Sequence, residues 1–593
     1  MKNENSPLTR RFFSRRFRWG PLSRVTLSRT SCAIARFVRG PIAGVALAFG
    51  LILCPLRAQA TGGQTPSAPS SGSTATQSTH IAPEQAQQLF QSVDAILQFD
   101  SKDTGLPILH PVKRRLITRD EVEHYLTQQL RNDRDAKRLQ RSELVLKKFG
   151  LLDPDFNLQP FLIRLLREQI AGYYDDKTKT VNLLDWIPPD EQKPVLAHEL
   201  THALQDQHVH LEKWDQLSDL TVAKNVKEDN QHIANDEGDT VRDAIIEGQA
   251  MATFIDYTLA PTGKNLLTAP GLADRMNQAM SDNSDSPTLA TAPLVLQKSL
   301  LFPYVDGLDF VRAVFVAKGK PAAFTGMLDH PPSSTYEIMT PKVYLNHGPV
   351  PLLRMPDIHS LIDAQYRPYD VGVMGEFDVQ VMAELFGGAG MSVALTPMWR
   401  GGIYYTVQSK TATTAAAKDS LKSLALLYLS RWATPEAAQA FATVYAGEIP
   451  RKYEHAVAQP RDEGDADDSV PSQVWNTADG PVLIAVSGRT VFISESFPIN
   501  LARKLEFVMM GSIPNSAGSV EVRLEPNGLP HAAPSATAQP WAMPHRDLTS
   551  GLRGALLAAG IPRVASKSAE MAAKSHAATG RICGAGALRT PVY

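Results

Sequence analysis

His198-Glu199-Leu200-Thr201-His202 sets two imidazoles four residues apart with a carboxylate beside the first. On a helix that spacing puts both rings on one face, where they can bind one metal ion, and lets Glu199 reach a water at that ion. Two histidines, a metal and a base are the parts of a hydrolytic site. The surroundings read as a helix: Val195, Leu196, Leu200 and Leu204 make an apolar stripe, and Pro188-Pro189-Asp190-Glu191 has the composition of a helix start. Without a metal, the same residues would be two hydrogen-bonded core histidines and a solvated glutamate.

A catalytic zinc usually takes three protein ligands and keeps a fourth position for water, so a third ligand is needed. His208 lies six residues after His202, the spacing of the metzincin pattern HExxHxxGxxH, but Gln205 stands where that pattern has glycine. The glycine allows a sharp exit from the helix. If the helix continues instead, His208 points roughly 120° away from His202 and misses the metal. Glu247 is the other candidate. It is set in Asp239 to Ala252, a largely apolar helical stretch, where an unpartnered buried carboxylate would be costly. Zinc would be its partner; exposure, or pairing with Arg242, is the alternative.

With His198, Glu199, His202 and Glu247 in these positions, the chain resembles the gluzincins, HExxH metallopeptidases whose third ligand is a glutamate on a later helix. His198 to Gln207, Ile246 to Ala250, Phe302-Pro303-Tyr304 with Gly307, and Pro331 to Thr335 are similar to segments of bacterial secreted proteins described as metallopeptidases; the likeness covers about residues 160 to 345. The resemblance implies a zincin-like core of helices plus a small sheet; with the second α+β region that the residues after about 346 read as, the expected fold class is α+β. The resemblance implies one Zn2+ per chain on His198, His202 and Glu247. It also implies hydrolysis of a peptide bond, with Glu199 taking the proton of the attacking water and passing it to the leaving amine. The segment from Ala171 to Leu184 reads as a β-hairpin, where zincins place an edge strand that receives extended substrate. Tyr304, His330 and Tyr336 are candidates to steady an oxyanion. One position departs from the pattern: many gluzincins carry an aspartate four residues after the glutamate ligand, to orient the first histidine, and this chain has Met251 there. Asp243, one turn before Glu247, is the nearest substitute.

The rest of the chain bounds the context. The first 60 residues hold 11 Lys and Arg against one Glu, an apolar run from Ile42 to Leu53 and an A-x-A site at Ala58 to Ala60, the pattern of a secretory signal peptide. The protein is therefore expected to be exported, periplasmic or secreted, with no stable membrane span after cleavage. Taking the leader's +10 from the whole-chain −1 leaves a mature chain near −11, a poor nucleic-acid binder, so no nucleic-acid partner is expected; the expected partner is the peptide or protein substrate that the zinc site implies. Only Cys583 lies outside the leader, so there is neither a disulfide framework nor a four-cysteine zinc site.

Residues 61–80 read as a Ser/Thr/Gly/Pro-rich linker. Residues 81–345 read as a helical N-terminal part, with a capping box at Thr118 and Glu121, plus the catalytic domain. In the 346–515 region, Gly401 to Val407 reads as a strand, Ala415 to Trp432 and Pro435 to Tyr445 as helices, and Pro481 to Ile493 as a strand pair. Asp462 to Asp468 is an acidic loop, and residues 516–593 read as a mostly disordered tail with a short helix at 548–559. The leading expectation is a zinc metallopeptidase. The alternatives are a metzincin-like site on His208 and a non-catalytic binding protein that keeps a structural zinc.

Overall fold

The computed structural model describes residues 80–511, apart from residues 123, 125–132, 170–171, 215–223, 270, 272–273, 276–285 and 460–471. The leader, the linker up to residue 79, the 462–468 acidic loop and the tail lie outside the described residues. The chain is a mixed α+β molecule with two sheets. Among the described residues no helix is long and apolar enough to cross a membrane.

The first part is mostly helical. Helix α1 (Pro83–Thr104) is followed by strand β1 (Lys113–Ile117), then α2 (Asp133–Phe149) and α3 (Leu158–Gln169). The N-terminal part is thus not helical throughout, because β1 pairs in parallel with β3 (Thr180–Leu184), which in turn pairs antiparallel with β2 (Tyr173–Asp175). A strand as polar as Lys-Arg-Arg-Leu-Ile gives little alternating signal, and a partner distant in sequence decides its state. The order β1-β3-β2 leaves β2 at the edge beside the site. The Thr118 capping box forms, Glu121 N–H donating to Thr118 Oγ1 and Thr118 N–H to Glu121 Oε2.

Helix α4 (Pro189–Val209) carries the HExxH segment, and after α5 (Val226–Asn235) helix α6 (Gly238–Leu259) carries Glu247. Helix α7 (Leu294–Lys318) crosses α6 at backbone contact. A Cβ on Gly248 would sit 2.3 Å from the Gly307 carbonyl carbon, and one on Gly307 would sit 2.2 Å from Ala244 O. Only glycine admits that approach, which brings Tyr304, one turn before Gly307, toward Glu247.

The second sheet has seven strands in the order β4-β5-β6-β10-β9-β8-β7, every pair antiparallel. They are β4 (Tyr366–Val373), β5 (Trp399–Ser409), β6 (Leu424–Trp432), β7 (Val457–Ala458), β8 (Ser472–Asn476), β9 (Val482–Ser487) and β10 (Thr490–Glu495). Pro368 is tolerated in β4 because that strand is an edge with a register shift beside the proline. Helix α8 (Glu376–Gly387) joins β4 to β5, α9 (Pro435–Lys452) follows β6, and α10 (Ile499–Gly511) closes the described chain.

The helix expected over Ala415 to Trp432 is corrected: only Ala415–Lys418 is helical, and Leu424–Trp432 is the buried strand β6. Its alternate residues enter two cores. Leu426, Tyr428 and Trp432 face the large core shared with the helices, whereas Ala425, Leu427 and Leu429 face a smaller one with Phe497 and Leu505. A strand covered on both faces has no period-2 signal and reads like a buried helix. The large core runs from Leu89 to Ile493 without interruption at residue 345. Phe302 stacks on Phe377 at 5.1 Å, and Phe149 lies 5.4 Å from Tyr404.

Candidate metal centre

The polar residues that end the HExxH helix fasten it to its neighbours. Asp206 accepts from the Tyr174 hydroxyl at 2.8 Å and pairs with Lys179 Nζ at 2.6 Å, tying α4 to the β2–β3 hairpin. Gln207 Oε1 accepts from the backbone N–H groups of Leu109 and His110 at 2.7 and 2.8 Å. Helix α4 continues to Val209 and ends at His210 in the left-handed region, φ 56°. His208 therefore points away, and its Nε2 lies 2.9 Å from Asp329 Oδ1.

Helix α6 packs Glu247 against that face. His198, His202 and Glu247 are buried, with 0, 3 and 2 % exposure. The two Nε2 atoms are 3.0 Å apart, and Glu247 Oε2 lies 3.3 Å from His198 Nε2 and 3.4 Å from His202 Nε2. Tetrahedral ligand atoms about 2.1 Å from an ion lie roughly 3.4 Å from one another, so this near-equilateral triangle fits a small divalent cation. The chemistry of the set agrees. Glu247 Oε2 makes no well-aligned hydrogen bond among the described residues; the two imidazole nitrogens face it, and a cation between the three atoms would satisfy them together. Burial opposes ionisation of Glu247, but the two imidazoles outweigh it and hold the carboxyl down at about 2. Burial lowers His198 to about 4, so its ring is neutral and able to ligate at neutral pH. Among the described residues this is the one group of three or more His, Cys, Asp or Glu close enough to hold a metal ion.

Glu199 is 1 % exposed. Its Oε2 accepts from Tyr174 N–H at 2.8 Å, while Oε1 has no partner among the described residues. Burial raises its pKa well above the usual carboxylate range; the Tyr174 N–H opposes the shift and the nearby Glu247 adds to it. The edge strand β2 thus meets the site through the main chain at Tyr174.

Of the three oxyanion candidates, Tyr304 alone lies at the centre in the described contacts. Its ring stacks on His198 at 6.3 Å, and its buried hydroxyl, beside Glu247, has no hydrogen-bond partner among the described residues. His330 is exposed and Tyr336 packs against Trp399. His198 Nδ1 is likewise without a partner, so neither Met251 nor Asp243 takes the orienting role there. The residue missed from sequence is Gln205, whose Oε1 lies 2.8 Å from His202 Nδ1. Its position one turn after His202 on the same face was the available signal. No protein-family profile, curated protein or solved structure matches the chain.

Proposed function

We propose that this protein is a zinc-dependent metallopeptidase of gluzincin type with a zincin-like core, exported to the periplasm or the exterior, that hydrolyses peptide bonds. One observation carries the reading: three buried ligand atoms lie 3.0 to 3.4 Å from one another, with a fourth buried group, the carboxylate of Glu199, next in sequence to one of them. His198, His202 and Glu247 would hold the zinc, and zinc supplies Lewis acidity toward a water and a peptide carbonyl.

The remaining steps belong to the chain. Glu199 is held by the Tyr174 N–H through Oε2, which leaves Oε1 free to take a proton from the attacking water and deliver it to the departing amine nitrogen. Its raised pKa favours the return of that proton to the amine, because a carboxyl near its ordinary pKa would be a poor acid at neutral pH. Tyr304 offers a hydroxyl to a developing oxyanion. The β2 edge would align an extended substrate beside the site.

A second reading, a binding protein with a structural zinc, draws on the near-complete burial of all four groups and on the bond that occupies Glu199 Oε2. Zinc content of wild type, Glu247→Ala and Glu199→Gln, measured with cleavage of an unstructured protein, separates the two. The peptidase reading expects one zinc in wild type and in Glu199→Gln, none in Glu247→Ala, and cleavage by wild type alone. Stoichiometric zinc with no cleavage by any form would support the binding protein.

A further inference from the structure

We infer that Gln205 and Gln249 form an amide relay that sets the tautomer of His202, keeping its proton on Nδ1 and its Nε2 lone pair turned to the metal. The inference rests on the metal reading for its purpose, but its geometry stands independently. Each orientation in the relay follows from the one before, starting at main-chain carbonyls that can only accept.

One end of the Gln249 amide lies 2.9 Å from Ala323 O and 3.0 Å from Phe324 O. With two carbonyls there, that end must be the NH2 group. Gln249 Oε1 therefore faces the other way and accepts from Gln205 Nε2 at 2.9 Å, while Gln205 Nε2 also donates to Ile246 O at 3.0 Å. Two acceptors fix the Gln205 amide in turn, so its Oε1 is the atom 2.8 Å from His202 Nδ1. An amide oxygen cannot donate, so Nδ1 must carry the proton. Both glutamines are wholly buried, so no solvent competes for these bonds.

The anchor is itself unusual in shape. Ala323 and Phe324 belong to a short π-helical turn, Ala322–Gly326, and the Phe324 carbonyl accepts from the Met327 N–H as well as from the Gln249 amide. The relay also grips Ile246, the residue before Glu247, so one amide touches the helix of the third ligand and the ring of the second. His198 has no counterpart, since its Nδ1 is unpartnered. The chain thus orients the second histidine through two neutral amides in place of a carboxylate on the first. Gln205 and Gln249 are positioning residues.

The test is the protonation site of His202 in the full-length, metal-free protein, read from long-range 1H–15N correlations with 15N-labelled histidine and assigned by loss of the signal in His202→Gln. Zinc affinity by chelator competition is measured in parallel. Wild type should carry the His202 proton on Nδ1. Gln205→Leu and Gln249→Leu should populate both tautomers and weaken zinc binding by roughly 10-fold to 100-fold, the usual cost of losing a group that orients a ligand. Gln205→Glu, which keeps the acceptor, should retain the Nδ1 proton. A wild-type proton on Nε2 overturns the inference whether or not any variant folds. So does wild-type zinc affinity in a Gln205→Leu protein that melts normally. An Nδ1 proton in a wild type that binds no zinc would uphold the relay and refute the metal reading, so the two fail separately.

Discussion

At the residue scale, the centre combines one carboxylate that burial alone would neutralise and another that imidazoles keep charged. The buried Tyr304 hydroxyl lies beside Glu247, and burial followed by the charges of Glu247 and Glu199 raises its pKa. If it serves the oxyanion, Tyr304→Phe should keep its zinc and its melting temperature while cleavage falls about 100-fold, the scale of losing one such donor; unchanged cleavage would remove Tyr304 from the chemistry. Acid should act on the same residues. His198 holds its proton less tightly folded, at about 4, than unfolded, near 6.5. Between those values the unfolded chain binds more protons, so His198 withdraws stability as pH falls from about 6.5 toward 4, by on the order of 3 kcal/mol. Glu247, depressed to about 2, adds a loss in the same direction below about 4.5. Thermal melts of the metal-free protein at pH 7 and pH 5 should differ more for wild type than for His198→Gln, and equal differences would refute this.

At the element scale, the α6–α7 crossing is what places Glu247 and Tyr304 together. The contact at Gly248 and Gly307 is backbone to backbone, so no rotamer change can relieve an added methyl. Gly307→Ala should force the helices apart, cost about 1–3 kcal/mol in melting experiments and weaken zinc binding together with it. A Gly307→Ala protein with wild-type stability and zinc would refute the crossing as drawn. The hairpin is a second positioning device: Asp206 ties it to α4 while Tyr174 N–H meets Glu199, so the edge strand and the Glu199 carboxylate are set by one clamp.

At the scale of the whole molecule, the helical part and the seven-stranded sheet share a core. Asp236 Oδ2 accepts from Val373 N–H at 2.6 Å, and a Cβ on Gly375 would sit 2.3 Å from Glu237 Oε1. These contacts reach from the start of α6, the Glu247 helix, to the end of β4 and the start of α8. Residues 80–345 expressed alone should therefore expose the Phe302 face, melt without cooperativity and fail to retain zinc, as followed by calorimetry and elemental analysis. A cooperative, zinc-loaded fragment would show instead that the sheet is an accessory.

Much of the centre was legible in sequence because its two histidines and Glu199 lie on one helix, where spacing alone sets direction. Glu247 was legible through a second local signal, a carboxylate in an apolar helix. The strand Leu424–Trp432 was not legible, since burial on both faces erases the period that distinguishes strand from helix. Nor was the role of Gln205, which in the linear chain reads only as a misfit to a glycine position. Its bond to His202 is local, but its orientation depends on Gln249 and on carbonyls at Ala323 and Phe324, over 100 residues away. Local spacing determined which groups could share a helix face. The tertiary structure alone decided which buried atoms meet across helices, because those meetings depend on backbone approach and on partners that no period in the sequence encodes.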